Sequence, residues 1–180
     1  GVDTHGVWHL PGYVDAIRNG EVVPTARPST VQQSSTTALV SGNWGFGQPS
    51  CHYAMQVAIE KATAQNVGVV SLVQAHHTDR MGHYVEMAAA QSLVTLIWAG
   101  GYGAEKPAAV PYGGPKAILH TNPIAIGFPS GDECPVVIDF ATSAGSGVKV
   151  VDAQRRGEQL PSDWLVDKHG CETTDPDAFF

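Results

Sequence analysis

Apolar positions recur at helical spacing from Trp8 to Asn19, with Leu10, Tyr13, Val14 and Ile17 on one side. Pro11 fits the first turn of that helix, where its missing N–H costs nothing, and Gly20 supplies the stop. Residues 21–37 are rich in Pro, Ser and Thr and predict an extended loop. Ala38-Leu39-Val40 predicts a short strand that ends at Ser41-Gly42-Asn43. A second helix is predicted over Ser50–Gln65, with Ser50 as N-cap. Its apolar stripe is Ala54, Val57, Ala58 and Ala62, and Glu60-Lys61 falls on the wet face.

The run Val67–Val73 is apolar and β-branched and predicts a buried strand. A helix over Gly82–Ser92 and a second buried strand over Leu93–Trp98 follow. This strand–helix–strand order predicts a βαβ unit within a mixed sheet. Residues 100–114 form a loop dense in Gly and Pro, and Ile124–Phe128 and Val136–Asp139 predict further strands. The fold class expected is α/β, a mixed sheet with flanking helices and an N-terminal helical segment. One region spans 1–180: residues 1–49 carry a helix and extended loop, and residues 50–180 form the α/β part. No internal repeat or low-complexity tract appears.

Composition narrows the class. With 180 residues, 43% hydrophobic and 15% charged, the chain can bury a real core. Its net charge is −7, and only Arg155-Arg156 are adjacent among ten scattered basic residues, which argues against a nucleic-acid surface. Cys51, Cys134 and Cys171 are far apart and odd in number, so neither a disulfide framework nor a structural zinc site is expected. Free thiols fit a reducing compartment, and a cytoplasmic location is expected. No apolar run approaches the length of a membrane span and no signal peptide is visible, so no membrane partner is expected.

The opening segment, Gly1-Val2-Asp3-Thr4-His5-Gly6-Val7, places a His after a hydroxyl residue and two past a carboxylate. Histidine suits proton transfer near neutral pH. Taken alone, the segment also reads as a His near a helix N-terminus capped by Asp3 or Thr4. His77 and Arg80 follow a predicted strand and precede a helix, a usual place for a ligand-facing loop. Arg can grip a carboxylate with two parallel hydrogen bonds. The plain alternative is a solvated loop with Arg80 paired to Asp79 or Glu86.

Other chemistries find less support. The Gly-x-Gly starts at Gly45, Gly101 and Gly145 lack a third Gly in register, since Ser50, Lys106 and Val150 stand there. A Walker-type loop and a Gly-x-Ser-x-Gly elbow are absent. His5 and His9 are four apart, and His76, His77 and His83 cluster. A helical i, i+4 pair is only half a zinc site, and the Glu of the zincin motif is missing, so no metal is expected. Thr121-Asn122-Pro123 could donate to a ligand or satisfy a turn. Residues 137–143 read as a buried strand closed by Asp139, and Lys149 as an exposed helical residue.

Several motifs in order bear a family likeness. THGVWHLPGYVDAIRNGEVVP opens the series, followed by Trp44-Gly45-Phe46-Gly47-Gln48 and by His76-His77-Thr78-Asp79-Arg80-Met81-Gly82-His83-Tyr84-Val85-Glu86. Thr121-Asn122-Pro123, Val137-Ile138-Asp139-Phe140-Ala141-Thr142-Ser143, and Gly170 with Thr173-Thr174-Asp175-Pro176 complete it. Together they resemble the malate/L-lactate dehydrogenase family that lacks a Rossmann fold. That family includes sulfolactate, ureidoglycolate and hydroxycarboxylate dehydrogenases and diketogulonate reductase. The His-His-x-x-Arg-x-Gly form looks most like the hydroxycarboxylate branch.

The resemblance implies a non-Rossmann malate/lactate dehydrogenase-like fold and an NAD(P)-dependent oxidoreductase of 2-hydroxy and 2-oxo acids. It implies His5 as general acid/base, with Thr4 holding the imidazole or the substrate. His77, Arg80 and His9 would contact substrate. Thr121, Asn122 and Pro123, then Val137, Ile138, Asp139, Phe140, Ala141, Thr142 and Ser143, and Lys149 would contact NAD or NADP. Cyclic imine-acid reduction also occurs in the family, and an inactive remnant that keeps only ligand binding is a further alternative. Members are homodimers with active sites at subunit interfaces.

Four positions depart from the family pattern. His9 stands where many members have Arg, Thr4 replaces the more frequent Ser, Asp79 stands where Gly is common, and His120 where Gly usually precedes Thr-Asn-Pro. The chain starts with Gly1 and stops at Ala178-Phe179-Phe180, and the likeness covers all of it but only about the middle half of a family protein. A fragment is therefore expected, and one inactive on its own.

Overall fold

A computed structural model describes residues 2, 4–101, 107–131 and 133–179. The proposed Asp3 cap and residues 102–106 of the Gly/Pro loop lie outside them. The fold is α/β, with small mixed and antiparallel sheets and flanking helices, and it divides into two compact units. Unit 1 holds residues 1–97 and 125–139, and unit 2 holds 98–124 and 140–180.

In unit 1 a 3-10 turn, Gly6–His9, leads into α1, Leu10–Arg18, with Pro11 in the first turn as expected. The apolar positions that recur along it are largely open, with Leu10 59% exposed, and only Ala16 is buried. The expected loop over 21–37 contains a strand, β1 (Ser29–Gln33), antiparallel to β2 (Thr37–Gly45). β1 escapes an apolar-pattern reading because it is an edge strand with a wet, polar sequence.

Helix α2, Gly47–Gln65, begins three residues before the expected start. Pro49 is tolerated in its first turn, where an N–H would lack an intrahelical partner anyway. Ser50 is therefore not the N-cap. It is buried inside the helix, and its hydroxyl donates back to the Phe46 carbonyl at 2.8 Å. Asn66, in the left-handed region at φ 65°, ends the helix. β3, Val69–Ala75, then returns parallel to β2.

The βαβ unit is thus β2-α2-β3. The expected pairing of β3 with the strand after α3 (Gly82–Ala89) does not form, because β4 (Thr95–Trp98) lies in another sheet of order β4-β5-β6. Its other strands are β5, Ile124–Phe128, and β6, Val136–Phe140. Nor are β3 and β4 buried on both faces: Val69 is 56% and Leu96 50% exposed. An unbroken apolar run sends side chains to both faces, and only one of them is covered here.

Helix α3 ends before the expected Ser92, which turns left-handed at φ 60° while Leu93 N–H reaches back to the Ala88 carbonyl. One core cluster joins Met55 of α2 to Tyr84 and Ala88 of α3. A second joins Met81 and Val85 to Ala125 of β5, with Ile97 and Val137 against it. Gly127 makes this approach possible, since a Cβ there would lie 2.8 Å from the Val85 Cβ and carbonyl oxygen.

In unit 2, α4 (Gly147–Arg156) is capped by Ser146, whose hydroxyl accepts the Val148 N–H at 3.2 Å. Val150, Ala153 and Leu160 form its core with Trp164, Leu165 and Phe179. A short antiparallel pair, β7 (Leu165–Val166) and β8 (Glu172–Thr173), completes the unit, with a final 3-10 turn at Pro176–Phe179. Among the described residues, no helix is long and apolar enough to cross a membrane.

Candidate active site

The loop after β3 carries His76 and His77 and is tied to the end of β2 through His76 N–H to the Gly45 carbonyl, 3.1 Å. Tyr84, buried on α3, pins the same loop by donating to the Thr78 carbonyl at 2.6 Å. Gly47 lets α2 start directly against this loop, because a Cβ there would lie 2.1 Å from the His76 carbonyl oxygen and 2.3 Å from that of His77. Three rigid elements thus fix the backbone under two of the candidate histidines.

The N-terminal turn delivers the others. The His5 ring stacks on His77 at 5.9 Å with 11° between planes. His9 lies 4.4 Å from His77 and 5.8 Å from His5. The predicted catalytic and substrate-contacting histidines therefore meet, although 72 positions separate His5 from His77 in the chain.

Hydrogen bonds hold the rings in place. Thr4 Oγ1 lies 2.9 Å from His5 Nδ1. His9 Nε2 donates to the Thr4 carbonyl at 3.1 Å. Gln48 Nε2 donates to the Tyr13 hydroxyl at 2.7 Å, and that hydroxyl lies 2.9 Å from His77 Nδ1. Burial and the charge of Asp79 hold the Tyr13 phenol above its ordinary 10, so it keeps its proton at neutral pH.

Crowding by its neighbours, with help from His9, pushes the His77 imidazole down to about 4, and solvent tempers the effect because the residue keeps an open side. His77 is therefore neutral at pH 7. His5 is lowered from 6.5 first by burial. Asp79 and Asp139 oppose that, while His9 and Arg80 add to it. The arrangement sets His5, its proton affinity lowered by burial, beside a second imidazole that stays neutral at pH 7.

Arg80 donates to Glu86 at 2.7 Å, the pairing that the residues alone allowed. Asp139 accepts the Gly82 N–H at 2.6 Å, at the start of α3. Val137 packs into the core, whereas Ile138 and Phe140 are exposed. In unit 2, Asn122 Oδ1 accepts from Thr142, from its N–H at 3.2 Å and its hydroxyl at 2.7 Å. Two candidate cofactor segments are thereby joined. Pro123 receives the Ala99 N–H, Thr121 and Ser143 are exposed, and Lys149 Nζ lies 5.7 Å from the Trp164 ring. Among the described residues, no group of three His, Cys, Asp or Glu side chains is arranged to hold a metal ion.

Tyr13 and Gln48 are neighbours of the histidine cluster that residue type alone does not single out. Tyr13 was legible only as one member of a helical stripe, and Gln48 only as the end of Trp44-Gly45-Phe46-Gly47-Gln48. Nothing in the linear order marks the contact between them.

The malate/L-lactate dehydrogenase family model matches residues 1–180. The chain is 37% identical over 177 residues to the L-sulfolactate dehydrogenase of Methanothermobacter thermautotrophicus, covering 98% of this chain and 50% of that protein. It superposes with a TM-score of 0.89 on the malate dehydrogenase of Entamoeba histolytica, at 32% identity over 97% of this chain and 48% of that one. The delta1-piperideine-2-carboxylate reductase of Pseudomonas syringae pvar. tomato gives 0.88 at 32% identity, over 98% and 52%. The chain spans about half the length of the relatives it matches. With the family match running from end to end, the chain belongs to the malate/L-lactate dehydrogenase family.

Proposed function

We propose that the full-length protein is an NAD(P)-dependent oxidoreductase that interconverts 2-hydroxy and 2-oxo acids, with His5 as general acid/base. The observation that carries this reading is the stacked pair His5–His77, its two rings held through Nδ1 by Thr4 and Tyr13. In oxidation, neutral His5 accepts the proton of the C2 hydroxyl at Nε2. The imidazolium so formed donates Nδ1–H to Thr4 Oγ1. In reduction, protonated His5 returns the proton to the developing alkoxide. With the Tyr13 hydroxyl donating to His77 Nδ1, the Nε2–H of His77 polarises the substrate oxygen. Arg80 has further N–H groups besides the one given to Glu86 for the substrate carboxylate, and His9 lies beside both rings.

The residues of unit 2 fit a dinucleotide. Asn122 and Thr142 are joined, and the small residues Ala141 to Gly147 lead to the N-terminus of α4, where backbone N–H groups favour a phosphate. A bound nicotinamide dinucleotide would supply the hydride acceptor for oxidation and the donor for reduction. A homodimer in the cytoplasm is part of this reading, and the 180-residue chain alone is expected not to turn over, since it spans half the length of its relatives.

A second reading, reduction of a cyclic imine acid by the same His5, is favoured by the likeness to the piperideine-carboxylate reductase. The test is oxidation of NADH and NADPH by the full-length gene product, offered a panel of 2-oxo acids and a cyclic imine acid. Turnover on the 2-oxo acids supports the first reading, and turnover on the imine alone replaces it with the second. Stoichiometric nucleotide binding without turnover would mean a binding remnant.

A further inference from the structure

Asp79 is set apart by its backbone and by what it holds. Its φ of 64° lies in the left-handed region, where Gly is at ease and Asp is among the better-tolerated exceptions. From there its carboxylate reaches across the chain. Both oxygens lie 3.2 Å from the Gly6 N–H, which donates to them, and Oδ1 also accepts the Arg80 N–H at 2.9 Å. Gly6 is itself left-handed at φ 74° and follows His5 directly. The turn that presents His5 is therefore fastened to the loop that presents His77 through one side chain.

We propose that Asp79 is the positioning residue of the His5 turn: its carboxylate clamps the Gly6 amide and sets a negative charge against the imidazolium of His5. This rests on His5 as the acid/base. The groups that face His5 are Asp79 and Asp139, which favour its charged form, and His9 and Arg80, which oppose it, with His77 stacked on its ring. Asp79 is the stronger of the two favourable charges and the main counterweight to the burial that disfavours the imidazolium. A glycine at this position could adopt the same backbone but would supply neither clamp nor charge. Asp79 thus raises the pH at which His5 changes from proton donor to proton acceptor.

The test uses the full-length protein with its histidine Cε1–H resonances followed through a pH titration, His5 being identified by the signal lost in His5→Gln. Asp79→Asn keeps one acceptor for Gly6 and removes the charge, whereas Asp79→Gly removes both and suits φ 64°, so both variants are compatible with the fold. In both, the His5 titration moves to lower pH. The reductive rate at pH 7 falls about two- to five-fold, the range for a partly screened charge pair. The alkaline limb of reduction and the acid limb of oxidation shift downward together. Gly6 amide exchange accelerates only in Asp79→Gly. An unchanged His5 titration in Asp79→Asn overturns the proposal. Turnover that persists in His5→Ala would overturn the acid/base reading instead, while the titration still reports on the coupling of Asp79 to His5.

Discussion

Replacing Gly47 by alanine tests whether the start of α2 sets the position of the histidine loop. The added Cβ would lie 2.1 Å from the His76 carbonyl oxygen, against an ordinary contact of 3.4 Å or more, so a displacement of 3.4 − 2.1 = 1.3 Å is needed. The obstacle is backbone on both sides, and no side chain can swing away. Overpacking of this kind costs about 3 kcal/mol, the upper end of its usual range. Alanine's better helix propensity returns at most about 1 kcal/mol, so the clash wins by about 2 kcal/mol. Part of the displacement falls on His77, and a shift near 1 Å in a reacting site costs about 10²-fold in rate. Equilibrium denaturation and kcat/KM with a 2-oxo acid, both on the full-length protein, measure the two effects. Wild-type values of both in Gly47→Ala would refute the packing argument. Lost stability with unchanged kcat/KM would mean that α2 yields and the histidine loop does not.

Tyr13→Phe removes the hydroxyl between Gln48 and His77. The site is partly open to water, so stability falls by only about 1 kcal/mol, while kcat/KM drops about five- to ten-fold as His77 loses its fixed tautomer; the 15N shifts of the His77 ring report that loss, and unchanged shifts would refute the assignment. Folded His77 titrates at about 4 against an ordinary 6.5, so between those values the unfolded chain binds a proton that the folded chain does not. Stability therefore declines as pH falls from 6.5 toward 4, and His77→Gln flattens that decline in thermal unfolding curves. An equal decline in both proteins would assign it to other groups.

Much of the fold was legible because helical periodicity and β-branched runs are local signals. The helices around Tyr13, Val57 and Val85 and the strands around Leu72 and Ala125 all stand near their predicted places. What the pattern could not convey was pairing. β3 and β4 flank a helix and read as neighbours, yet β3 pairs with β2 across α2, and β4 belongs to another sheet. β1 was hidden because Thr30, Gln32 and Gln33 make a polar edge strand. The same limit applies to the site. His5, His9, His77 and Arg80 could be named from residue type and family likeness. Tyr13 on His77 and Asp79 on Gly6 are contacts over 64 and 73 positions that only the fold creates. Asp79 was visible as a departure from the family pattern, and its use was not.

The central claim is that His5 moves the proton. The most direct measurement compares the full-length protein with His5→Ala in single-turnover oxidation of NAD(P)H by a 2-oxo acid, alongside nucleotide binding. Nucleotide binding is predicted to be unchanged in the variant, with the rate down by about 10²–10⁴-fold, the usual contribution of a positioned acid or base. A variant that binds nucleotide and turns over at the parental rate would contradict the account.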